Sequence, residues 1–127
     1  MRLDNIPQSV VRAGAWCCLA LVGALSWLPG SMQHRTGLSG HVEHLFAYFV
    51  TAGALTLAYP RSGGLKLASL LAAYAALLEF GQFYVPGRSA QVGDWLVSSL
   101  GAALGVLALT YASRAMSELD SVAEQSG

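Results

Sequence analysis

Four mostly apolar runs, at residues 13–28, 42–59, 65–83 and 92–112, are separated by short breaks at Pro29-Gly30, Pro60 and Pro86-Gly87. Each run is close to the roughly 20 residues that carry an α-helix across a bilayer. In hydrocarbon every backbone N–H and C=O must find its partner inside the protein, so runs of this kind fold as helices. The pattern predicts an all-α fold, an integral membrane bundle of four transmembrane helices running up-down-up-down with short loops. Composition agrees with a bilayer as the solvent: 54% of the chain is apolar and 11% is charged, and the mean hydropathy is +0.50. Its 127 residues are read as one domain, with helices over about 11–28, 42–59, 65–83 and 92–112. The polar, acidic segment 113–127 is expected to be solvated or disordered.

The first run has a rival reading as a cleaved signal peptide, since Ala24-Leu25-Ser26 is a small-x-small site after a basic start. Its length favours a retained helix. The adjacent Cys17 and Cys18 lie mid-run, where a disulfide between neighbours would be badly strained, and they are read as apolar packing. Seven basic and seven acidic residues balance to zero, so bulk charge points to neither nucleic acid nor a polybasic lipid anchor. Arg2, Arg12, Arg61, Lys66 and Arg114 fall on one side of the expected topology, and Arg35 and Arg88 on the other. The positive-inside rule then places both termini in the cytoplasm. Trp27, Tyr59, Tyr84, Trp95 and Tyr111 are placed near helix ends, as an interfacial aromatic belt requires.

Parity of the four crossings brings loop one (with His34 and Arg35), the start of helix two, the end of helix three, loop three and the start of helix four to one membrane face. His41, Glu43, His44, Glu79, Gln82, Arg88 and Asp94 are thereby gathered at one depth. Helical spacing adds direction, with stripes of His41, His44, Tyr48 and Thr51, of Ala68, Ala72, Ala75, Glu79 and Gln82, and of Asp94, Ser98, Gly101, Gly105 and Ala108. Gly101 and Gly105 form a GxxxG pattern that lets another backbone approach Asp94 and Ser98, although packing alone also explains it. Asp94 opens its helix, where the dipole favours a carboxylate. Glu79 closes its own, where the dipole opposes one, so it needs a cation or a proton, and Arg88 in the turn is the expected partner.

Intramembrane carboxylates tend to mark function, yet the same residues also suit a structural staple between helix ends. His41 and His44 with Glu43 or Asp94 offer metal donors. HxxH without a third His or Cys nearby is a weak pattern, so no metal and no cofactor is expected. HExxH, GxSxG, Walker and CxxC motifs are absent from the sequence.

The segments HLFAYF and LLEFGQFYVPGRSAQVGDWLVSSLGAALG resemble the VanZ-like family of small bacterial membrane proteins, over residues 41–109. The marks are His44 before an aromatic-rich helix, the Glu79-x-x-Gln82 pair, the Pro86-Gly87-Arg88 turn, Asp94, and Gly101 with Gly105. Gly40-His41 stands where many members have Asp-Lys, and Ser98 where they have Asn. The family takes its name from an accessory protein that raises resistance to the lipoglycopeptide teicoplanin, and the resemblance implies a place and a motif without a settled reaction.

The function expected from these residues is non-catalytic: a cell-envelope protein whose rim cluster recognises a lipid headgroup, a lipid-linked precursor or an amphipathic antibiotic. Arg88 would contact an anion, Glu79, Gln82 and Asp94 would orient it, and His44 and Tyr48 would line the second-helix side. Ser98, Gly101 and Gly105 would pack the helices. Two alternatives stay open. One is an intramembrane enzyme with Glu79 and His44 as an acid-base pair on a lipid-linked substrate; the other is a structural subunit docking onto a membrane-protein partner.

Overall fold

The computed structural model describes residues 6–32, 37 and 39–125. Arg2, His34 and Arg35, used above for orientation and for loop one, lie outside the described residues. Among the described residues the regular structure is all helical, with α1 at Gln8–Ser26, a 3-10 turn at Gly30–Met32, α2 at Gly40–Ala58, α3 at Gly64–Gln82 and α4 at Val92–Gln125. Prolines and glycines set the breaks. Pro7, whose ring pre-sets φ, caps α1 and starts it one turn earlier than the apolar run suggested. Ser39 caps α2 by accepting from the Val42 amide at 3.4 Å. Gly87, at φ 75°, turns the chain between α3 and α4 in a conformation that side chains with a Cβ rarely adopt.

α1, α3 and α4 are each long and apolar enough to cross a membrane. At 19 residues, α1 and α3 are about 28 Å long, close to the thickness of the hydrocarbon layer. α2 has the same length but is not among these three, because His41, Glu43, His44, Thr51 and Thr56 lower its hydropathy. Its place in the bundle accounts for that. α2 touches each of the other three helices, whereas α1 and α4 do not touch one another among the described residues. Tyr48, Thr51, Ala52, Gly53, Leu55 and Ala58 of α2 are all buried, and the Thr51 and Thr56 hydroxyls donate to the carbonyls of Ala47 and Ala52 at 2.7 and 2.8 Å. A helix enclosed by protein in this way does not need a continuous apolar surface.

The closest packing is between α2 and α4. A Cβ added to Gly101 would run into the carbonyl of Leu45, and one added to Gly105 into that of Phe49. The two backbones approach as closely as the missing side chains permit. On the other face of α2, α1 is held by Gln8, whose amide donates to Leu57 O at 3.1 Å and Ala58 O at 2.8 Å, and by Tyr74 of α3, whose hydroxyl donates to Leu19 O at 2.9 Å.

Two expectations need correction. α4 does not stop at 112: it continues to Gln125, with residues 111–125 exposed. No Pro or Gly interrupts 106–126, Ala, Arg, Met, Glu and Leu favour the helix, and Ser113, Ser117 and Ser121 donate back to carbonyls of the preceding turn. Trp95, near the start of α4 as expected, does not point outward as a belt residue would. Its indole turns inward and donates to Ala72 O at 3.0 Å, midway along α3. Both cysteines are free; Cys17 is exposed and Cys18 half-buried on α1.

Candidate functional site

The C-terminal ends of α1 and α3 and the N-terminal ends of α2 and α4 meet at one end of the bundle. Asp94, in the first turn of α4, stands at the centre. Its Oδ1 lies 3.1 Å from His41 Nδ1 and its Oδ2 lies 3.8 Å from His44 Nε2, so two histidines of α2 flank one carboxylate of α4. The other ring nitrogen of His44, Nδ1, shares a hydrogen bond with Ser98 Oγ at 3.3 Å. Ser98 is fully buried and fixes the imidazole plane.

Glu79 departs from the pairing expected of it. Its Oε2 accepts from the backbone N–H of Gln91 at 3.1 Å, and no ion pair joins it to Arg88 among the described residues. Arg88 instead donates to the carbonyl oxygen of Ser26, from Nη2 at 2.9 Å and Nε at 3.3 Å, and the buried Gln82 amide donates to the same oxygen at 3.2 Å. The reason lies in α1. Ser26 is its last residue, where a helix leaves carbonyls without intrahelical partners and carries the negative end of its dipole, so a guanidinium is favoured there.

The donor atoms of His44, Glu79 and Asp94 all lie within 4.8 Å of one another, although the residues come from three helices. Beside them is a cavity of about 520 Å³ whose wall includes His44, Tyr48, Gln82, Arg88 and Asp94, together with Ser39 and Gln91. Of the six residues singled out from the sequence for binding, five line this cavity, and Glu79 adjoins it through His44 and Asp94. Tyr48 lines it although only 2% of the residue is exposed. Ser26 and Gln91 were not legible as site residues, because each contributes a backbone atom. The one available signal was positional, since Ser26 ends a helix and such ends need donors.

An all-helical membrane protein with a polar cavity at one end of its bundle is the class that this fold and this cluster define. The chain belongs to the VanZ/LLP1 family, whose model matches residues 17–113, a span that includes every residue of the cluster. No curated protein and no solved structure matches the chain.

Proposed function

We propose that this is a four-pass protein of the bacterial inner membrane, up-down-up-down with both termini cytoplasmic, whose non-cytoplasmic rim binds a polar or anionic headgroup. The cavity of about 520 Å³ carries the reading, because it places a guanidinium, an amide, an imidazole and a phenol around one space at the end of an apolar bundle. Arg88 supplies the cationic contact and is braced against Ser26 O, Gln82 and Tyr48 donate hydrogen bonds, and His44 and Asp94 close the α2–α4 side. A lipid headgroup, a lipid-linked precursor and an amphipathic antibiotic share this chemistry, an anionic or polar head on an apolar body. α2 is counted as a crossing, despite its lower hydropathy, because it matches α1 and α3 in length and packs against all three other helices.

The test is native mass spectrometry of the protein released from detergent. One retained lipid-sized adduct is expected for the wild type and none for Arg88→Ala; equal retention by both would refute the reading. The proximity of His44 and Glu79 favours a second reading, acid-base chemistry on a lipid-linked substrate. Turnover of an extracted envelope lipid that Glu79→Gln abolishes while the adduct persists would select it.

A further inference from the structure

We propose that His44, Glu79 and Asp94 form a binding site for one divalent transition-metal ion, with Zn²⁺ the first ion to test. This goes beyond headgroup recognition and stands independently of it. Two carboxylates and one imidazole converge within 4.8 Å inside an apolar bundle, and like charges so placed oppose one another strongly in a poorly screened setting. A single divalent ion with a neutral His44 brings the cluster to zero net charge. Arg88 faces the same cavity and its charge offsets part of this repulsion, but its Nε and Nη2 donate to Ser26 O and it has no lone pair to ligate an ion.

The donor set is one nitrogen and two carboxylate oxygens, which suits Zn²⁺ or Mn²⁺ better than a thiolate-seeking ion or an all-oxygen Mg²⁺ cage. Geometry agrees with a small ion. Tetrahedral ligands at about 2.0–2.1 Å stand roughly 3.4 Å apart. His44 Nε2 and Asp94 Oδ2 are already at 3.8 Å, and the widest separation in the set, at most 4.8 Å, closes by side-chain rotation of little more than about 1 Å.

Each ligand also has the outer partner that metal ligands usually have. Ser98 Oγ lies 3.3 Å from His44 Nδ1 and, in the Nδ1–H tautomer that frees the Nε2 lone pair for an ion, accepts from it; the Gln91 backbone N–H holds Glu79 Oε2; and His41 Nδ1 holds Asp94 Oδ1. His44 and Asp94 line the cavity, so a fourth coordination position opens into it, as in sites where a metal presents a water or an anion. The ligands come from α2, α3 and α4, and an ion held by all three would also tie those helices together.

The experiment uses the full chain purified in detergent on a tag without histidines, stripped with EDTA and titrated with Zn²⁺, Mn²⁺ and Co²⁺. One equivalent of Zn²⁺ or Mn²⁺ per chain is expected by elemental analysis, with a higher thermal midpoint in that ion than in Mg²⁺. Co²⁺ is expected to give the visible absorption of a low-coordinate site. His44→Gln, Glu79→Gln and Asp94→Asn should each abolish stoichiometric binding, Ser98→Ala should weaken it by about 10- to 100-fold, and Glu118→Gln on the exposed end of α4 should leave it intact. Arg88→Ala should keep the metal while losing a bound lipid, which separates this site from the headgroup reading. If the folded wild type takes up none of the three ions stoichiometrically, or the ligand variants bind as the wild type does, the proposal is wrong. The wild-type titration decides the matter even where a ligand variant fails to fold.

Discussion

Gly101→Ala tests the packing that assembles the site. A Cβ on Gly101 would collide with Leu45 O, with the Leu45 carbonyl carbon 3.1 Å and its Cα 3.2 Å away. All three are backbone atoms, so no rotamer change relieves the clash and α2 and α4 must move apart by about an ångström. Overpacking of this kind costs about 1–3 kcal/mol, and a backbone obstacle puts it near 2–3. Alanine returns about 0.8–1 kcal/mol through its higher helix propensity. The net is a loss of about 1–2 kcal/mol. Gly14→Ala on α1 is the internal control, because a Cβ there meets nothing within 4 Å and only the propensity gain, about 1 kcal/mol, remains. The two variants should therefore move in opposite directions in a denaturant or thermal unfolding series, separated by about 2–3 kcal/mol. Gly101 is one turn from Ser98, so the same wedge should lengthen the 3.3 Å His44–Ser98 contact beyond hydrogen-bonding range. If Gly101→Ala proves as stable as Gly14→Ala, the close approach of α2 and α4 is not what holds the site together.

Gln82→Ala removes a buried amide from Ser26 O and should destabilise the protein by about 1–2 kcal/mol, read as a lower unfolding midpoint. Trp95→Phe keeps an aromatic side chain but loses the donor to Ala72 O and some packing volume, and a loss of at least about 0.5–1.5 kcal/mol is expected in the same assay. Truncation after Ala112 removes the exposed helix at 113–125, so helical content should fall by circular dichroism while the midpoint of the remaining bundle stays within about 0.5 kcal/mol. With Cys17 and Cys18 replaced by alanine, Ser89→Cys should react with an impermeant maleimide in intact cells and Ser62→Cys only after lysis. Labelling of both from the same side would exclude the proposed crossings.

Apolar runs broken by Pro29, Pro60 and Pro86-Gly87 were enough to specify the number of helices and most of their ends, because hydrocarbon leaves the backbone no alternative to internal hydrogen bonds. The same logic indicated which residues would share one end of the bundle. The run of hydropathy misplaced the end of α4, since a helix needs only good helix formers and the absence of Pro and Gly to continue, and not an apolar face. Hydropathy sets α2 apart from its neighbours because it carries His41, Glu43, His44, Thr51 and Thr56, of which His44, Thr51 and Thr56 find partners within the bundle. Partner choice within the cluster belonged to the tertiary structure alone. Whether Arg88 meets Glu79 or the carbonyl of Ser26 depends on where the last turn of α1 comes to rest, 62 positions earlier in the chain. Whether His44 finds one carboxylate or two depends on the rotation of α3, which no spacing within α2 records. Periodicity reports the face of a single helix; which faces come together follows from how the helices pack, and here the glycines of α4 against the backbone of α2 set that arrangement.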